Sequence, residues 1–191
     1  MPNRHVINEI IAAYANAALE GAHNMGGRDA VVEVRNQLIQ ILEFMSTNIK
    51  LRLSLDDEVY TPEQRKEIAR NVFEGYNPIL VELLGVMASR GDVEKLRRVY
   101  ADYENLIVSK LDFNVVDVTT VVDLDDSLRT VIKNKIKNDL GRDCVLVEHK
   151  DPSILGGIVM STMGNYIDAS LRSQFDQARI VMKEKTDGGE C

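Results

Sequence analysis

Apolar residues return at helical spacing through the first hundred positions. Ile7, Ile10, Ile11, Tyr14 and Ala18 fall on one stripe, and Ala12, Ala13, Ala15 and Ala17 keep the surface around it small enough for another helix to approach closely. "HNMGGR" breaks that run, and Val31, Val34, Leu38, Ile41, Leu42 and Met45 repeat the stripe in a second helix, followed by a short piece around Asn48 to Leu53. "TPEQ" puts Thr61 at an N-cap, Pro62 at the first helical position and Gln64 where a capping-box side chain reaches back. Asn77 and Pro78 open the next helix, which carries Leu80, Leu83, Leu84 and Met87. Gly91 stops it, and Asp92 is expected to cap a helix whose buried face holds Val93, Leu96, Tyr100, Tyr103 and Ile107. The pattern predicts about six helices joined by short turns, the signature of a bundle.

The period changes near Asp112. "FNVVDVTTVV" is rich in β-branched residues and reads as a strand from about Phe113 to Val122. Asp125 or Asp126 opens a helix with Leu128, Val131, Ile132 and Ile136 on its apolar side and Arg129, Lys133, Lys135 and Lys137 facing water, and Gly141 ends it. "CVLVEHK" is a second strand. "DPSILGGIVMSTMGNYIDASLRSQ" supplies two more extended pieces joined by a turn at Met163 to Asn165, and a last helix runs from Leu171 to about Lys185. The expected fold class is α+β overall, an N-terminal six-helix bundle over 1–108 followed by a small α+β domain over 109–185, with a disordered tail over 186–191.

Composition narrows the function classes. The chain has 191 residues, 45% of them apolar, enough for a real core. No apolar run approaches the ~20 residues of a bilayer span, and "MPNRHVINEI" lacks the apolar stretch of a secretory signal, so any membrane association is expected to come through partners. The net charge of −7 repels a phosphate backbone. Before Ser109 there are 12 basic and 16 acidic side chains, and from it onward 11 and 14, so neither half is a basic module and nucleic acid is not an expected partner. Cys144 and Cys191 have no metal or redox spacing.

The candidate chemistry reads as structure. A phosphate-binding loop needs glycines after a strand and a Lys with Ser or Thr at the helix start; here Gly156 and Gly157 precede an apolar run and no Lys follows. The pair is expected to serve a bulge or a close backbone approach. Asp168 or Ser170 is placed to cap the last helix. His5, His23 and His149 lie in unrelated contexts without metal spacing. Cys144 and His149, five apart on one strand, point to opposite faces. Asp123, Asp125 and Asp126 lack the Gly and distal Glu of a calcium loop and suit a helix N-terminus. No catalytic residue, cofactor site or metal site is expected.

The stretch from Asp151 resembles a known signature. Asp151, Pro152, Ser153, Gly156, Gly157, Ile167, Asp168, Ser170 and Arg172 fall in register with the C-terminal pattern of the delta subunit of F-type ATP synthase, the counterpart of the mitochondrial oligomycin-sensitivity-conferring protein. "YANAALEGA" is similar to the family's Tyr-Ala-x-Ala-Leu stretch through Tyr14, Ala15 and Ala17, and "LLGVMASRGDVEKLRRVYADYENL" resembles its fifth and sixth helices. Departures are Ala18 where Leu is usual, Ala12-Ala13 in place of Arg-Pro, Ala169 in place of Gly, and Asp92 where a basic residue is common.

The resemblance implies a non-catalytic stator subunit. Its helical bundle would bind N-terminal segments of the alpha subunits in the catalytic head, and its second domain the C-terminal ends of the b subunits. The location implied is the cytoplasmic side of a bacterial cell membrane, peripheral and reached only through the complex. A groove between the first and fifth helices is implied for the alpha segment, with Ile10, Ile11, Tyr14, Ala15, Ala18, Leu80, Leu84 and Met87 as candidates. Asp151, Pro152, Gly156, Gly157, Asp168, Ser170 and Arg172 form the structural motif. The alternative from the residues alone is a helical-bundle regulatory or RNA-binding module.

Overall fold

The computed structural model describes residues 4–57, 59–162 and 165–187, with side chains as far as Met182. The chain divides into two compact units, Met1–Leu111 and Asp112–Cys191.

In the first unit the helices are α1 (Arg4–Thr47), α2 (Ile49–Asp56), α3 (Pro62–Val72), α4 (Pro78–Arg90) and α5 (Leu96–Leu111), with a 3-10 turn at Val93–Lys95. The helices fit the bundle expected here, and the first two meet at a kink without an intervening loop. Gly26 and Gly27 interrupt α1, and the φ of 63° and ψ of −141° at Gly27 suit only a residue without Cβ. Among the described residues the unit holds five α-helical elements, the first of them two helical arms divided by the non-helical Gly26 and Gly27. The stripe before the break buries Ile11, Tyr14, Ala15, Ala18, Leu19 and Ala22, and the arm after it buries Val31, Val34, Leu38, Ile41 and Met45. α1 packs on α5, and α3 on α4. A polar cluster fixes the α1–α5 contact: Arg35 donates to Glu104 Oε1 at 2.9 and 3.0 Å, and Tyr100 Oη donates to the same oxygen at 2.6 Å. Nearby, Tyr103 Oη donates to the Val31 carbonyl at 3.0 Å, and burial pushes its phenol well above the ordinary tyrosine value.

Helix ends follow the local chemistry. Thr61 and Gln64 form the reciprocal capping box, Asn77 accepts from Ile79 N, and Gly91 closes α4 in the left-handed conformation. Asp92 departs from expectation: its side chain caps nothing. It accepts from Tyr14 Oη at 2.9 Å and pairs with the Lys95 ammonium.

The second unit runs β1 (Phe113–Thr120), α6 (Asp126–Leu140), β2 (Asp143–Lys150), a 3-10 turn at Pro152–Ile154, β3 (Gly157–Thr162), β4 (Asn165–Ser170) and α7 (Leu171–Asp187). Sheet order is β2-β1-β3-β4, with β1 and β2 parallel and the other pairs antiparallel. α6 is the crossover that a parallel pair requires. One sheet face and α6 enclose Val116, Val118, Leu124, Ile132 and Ile136, with Cys144, Leu146, Ile158 and Met160 packed around them. Burial raises the Cys144 thiol above its ordinary value. Leu128 and Val131, expected inward, are 49% and 62% exposed. Arg129 grips Glu148 at 2.6 Å and Asp126 at 2.8 Å, and Lys137 pairs with Asp143 at 2.7 Å. Met163 and Gly164 of the expected turn lie outside the described residues, as do 188–191 of the expected tail, and α7 extends through Asp187.

Candidate functional site

Two helices of the first unit leave an apolar groove between them. Ala13, Tyr14, Ala17 and Ala18 of α1 form one wall, and Pro78, Ile79, Glu82, Leu83, Val86 and Arg90 of α4 the other, around about 610 Å³. The small side chains on α1 make the space, since a longer residue at 13 or 17 would fill it. At one end Gly21 lets Ile79 lie against α1: a Cβ there would stand 3.2 Å from Ile79 Cδ1. At the other, Tyr14 is held by its bond to Asp92, and burial together with that carboxylate raises its phenol pKa. The ring is therefore a fixed wall.

The groove draws on only some of the residues expected for it. Tyr14 and Ala18 line it, whereas Ile11, Ala15, Leu80, Leu84 and Met87 are at most 1% exposed inside the unit, and Ile10 is half-buried away from the groove. The strongest apolar periodicity marks the side that a bundle buries for itself. The residues that line the groove were legible in a different signal. α4 is apolar on two faces, with Ile79, Leu83 and Val86 in addition to Leu80, Leu84 and Met87, and such a helix has one face left over.

The motif from Asp151 is a set of local ties in the second unit. Asp151 Oδ1 accepts from Ser153 N at 2.8 Å, and this bond holds its carboxyl below the usual range. Pro152 starts the short 3-10 turn. Asp168 Oδ1 accepts from Ser170 N at 2.9 Å, and Ser170 Oγ accepts from Ser173 N at 3.2 Å, so Ser170 is the cap of α7. A Cβ on Gly156 would meet Leu171 Cδ1 at 2.8 Å, and one on Gly157 would run into the Ala169 carbonyl oxygen. Gly157 also has a φ of +81°. The glycines thus permit β3 to close on β4 and on the start of α7. Arg172 is exposed and its charge reaches Asp151.

The acidic cluster is divided among separate tasks: Asp123 pairs with Lys150 at 2.6 Å, Asp125 accepts from Leu128 N at 2.7 Å as the cap of α6, and Asp126 pairs with Arg129. Among the described residues no group of three His, Cys, Asp or Glu side chains is arranged to hold a metal ion. His149 contacts Asp117 at 3.2 Å, while His5 and His23 are exposed.

The family model for the ATP synthase delta (OSCP) subunit matches residues 10–182. The chain belongs to this family. The "ATP synthase subunit delta" of Prochlorococcus marinus (strain MIT 9312) is 29% identical to this delta-family chain over 182 residues, covering 94% of it and 99% of the relative. That of Azorhizobium caulinodans is 25% identical over 181 residues, covering 94% and 96%. Among solved structures, a chain of the Toxoplasma gondii mitochondrial ATP synthase hexamer, determined by cryo-EM, covers 90% of the delta-family chain at 17% identity with a TM-score of 0.49. No helix among the described residues of the delta-family chain is long and apolar enough to cross a membrane.

Proposed function

We propose that this chain is the stator connector of a proton-driven ATP synthase: its helical unit grips N-terminal segments of the alpha subunits, its α+β unit grips the C-terminal ends of the b subunits, and it performs no covalent chemistry. The observation that carries the reading is the groove between α1 and α4 in a chain of the delta (OSCP) family. Its apolar walls match the stripe of an amphipathic helix, with alanines permitting close approach and Ile79, Leu83 and Val86 supplying contact area. On the α+β unit, Leu171 and Phe175 lie one turn apart on α7, are each at least 42% exposed, and offer a second apolar surface, on which the b subunits would dock. The complex sits at the cytoplasmic face of a bacterial membrane, and this chain reaches the membrane only through it.

Rotation of a central shaft does work on the catalytic head only when the head is held still. A nanomolar hold corresponds to about 12 kcal/mol and calls for buried anchors. Titration of the full chain with a synthetic peptide from the N-terminus of an alpha chain should give micromolar affinity or better. Ala17→Asp, at an exposed position, places a carboxylate on the apolar wall and should weaken binding at least about tenfold while leaving the helical content intact. Equal affinity for the variant and the wild type removes the groove assignment. Tyr14→Asp is a poorer test, because Tyr14 is buried and bonded to Asp92 and its loss disturbs the unit itself.

A further inference from the structure

The α4 side of the groove is a stripe of Ile79, Leu83, Val86 and Arg90, three apolar residues and then a cation. The neighbouring carboxylates are committed elsewhere. Glu82, the acidic residue lining the groove, has both oxygens 2.7 Å from Arg70 Nη2. Asp92, at the Arg90 end, is shared by Tyr14 and Lys95. Among the described residues no carboxylate forms an ion pair with Arg90. Its neighbour is the Tyr14 phenol, a neutral group that offers the guanidinium no opposite full charge. The protein thus keeps a guanidinium without a carboxylate partner at one end of an apolar channel, on a chain whose net charge is −7.

We infer that the groove is directional, with Arg90 receiving a carboxylate of the docked helix, so that the preferred occupant carries an Asp or Glu beyond one end of its apolar stripe. This rests on the docking reading proposed above. The physical reason is desolvation. A helix that fills the groove removes water from one side of the guanidinium, and a charge left partly dry and uncompensated opposes docking, whereas a carboxylate offsets that cost and can be bidentate. From Ile79 to Arg90 is 11 residues of helix, roughly 16 Å along its axis. A partner lying along α4 therefore presents its acid about one turn past its last apolar anchor. Arg90 acts as a specificity determinant, while Ile79, Leu83 and Val86 supply the affinity.

The test uses the full chain and helical peptides with apolar anchors at i, i+4 and i+7. One peptide carries Glu at i+11, a second carries Glu four residues before the first anchor so that both directions are sampled, and each has twins with Gln or Lys in place of Glu. By calorimetry at low salt, one Glu peptide should bind about fivefold tighter than its Gln twin. The difference should shrink in ~0.5 M salt and vanish with Arg90→Gln, and with Arg90→Glu the Lys twin should become the preferred ligand. Equal binding of the Glu and Gln twins in both directions, or discrimination that survives Arg90→Gln, overturns the inference while leaving the docking reading in place. Failure of every peptide, together with failure of the alpha-chain segment, overturns both.

Discussion

The helical unit has an extensive core, although Met25, Ile49, Leu53 and Val59 stay exposed on it, and the α+β unit has a small one. In the first, Ile11, Leu19, Leu38, Ile41, Leu80, Leu84, Met87, Leu96 and Tyr103 are at most 2% exposed. In the second, the core against α6 is small, while Leu155, Tyr166, Ile167, Leu171, Phe175, Ile180 and Val181 stand 42% exposed or more. α7 has no buried residue among its described side chains, although Leu171, Phe175 and Ala178 repeat at helical spacing. Exposed apolar area of this kind suits association. One unit has a large core with a groove cut into it, and the other has a small core with much of its apolar surface exposed; on the reading proposed above, a partner covers that surface. The second unit's measured stability should therefore depend on that partner by mass action.

The largest effect should come from the finished core. Leu84→Ala empties a fully packed site between the helices and should cost about 2–5 kcal/mol in denaturant unfolding of the first unit. A loss under about 1 kcal/mol would show that this core is no better packed than the other unit's surface, and the comparison would collapse.

Next comes the tie that holds the smaller unit together. Gly157→Ala places a methyl group against the Ala169 carbonyl at a φ of +81°, so β3 and β4 must separate or the backbone must bear the strain, at about 2–3 kcal/mol. Amide exchange should accelerate across Gly157–Thr162 and Asn165–Ser170, with the helices of the first unit unaffected. Unchanged protection in those strands would mean that the glycine is dispensable.

Acid should separate the units as well. In the second, Asp125, Asp151 and Asp168 are held below the usual carboxylate range by hydrogen bonds from backbone N–H groups and serine hydroxyls, and Glu148 by Arg129. Each contributes stability that is fully present above the unfolded value, near pH 4, and is lost as pH falls through the lower folded value. In the first unit burial raises Asp56, which works in the opposite sense: its contribution is present at low pH and is lost as pH rises through its raised folded value. Glu82, lowered by Arg70, is the exposed counterexample there. Between about pH 5 and pH 2, amide signals of β1 to β4 should fade before those of α1 and α5. Simultaneous loss would show that the units do not differ in acid.

How far the sequence was legible follows the same division. Caps and stops were readable because each depends on neighbours within four residues, as at Thr61 with Gln64, at Asn77, and at Asp125 before Leu128. Asp92 was misread as a cap because its real partner, Tyr14, is 78 residues away. The strands of the second unit were readable from their β-branched runs, and the inward face of α6 only in part: Ile132 and Ile136 are in the core as expected, whereas Leu128 and Val131, of the same chemistry, are exposed. The groove was the least legible feature. Periodicity names a helix's apolar side without saying whether the rest of the chain or a partner will cover it. Ile11 and Ala15 are buried by the chain itself, and Ala13 and Ala17 stay exposed along the groove.

The smallest expected effect on stability is also the sharpest test of the comparison. Phe175 is 64% exposed on α7, so Phe175→Ser removes little that folding has buried, and unfolding of the isolated chain should change by no more than about 0.5 kcal/mol. Binding of a peptide from the C-terminal end of the b chain should nevertheless weaken at least about tenfold, because a large aromatic on an uncovered face has its contacts in the complex. A core residue behaves in the reverse way: Leu84→Ala costs stability first and affects binding only through the fold. If Phe175→Ser destabilised the free chain as Leu84→Ala is expected to, the face would already be covered within the chain. If neither stability nor binding moved, the exposed stripe of α7 would be ordinary surface, and the second unit would need no partner to complete it.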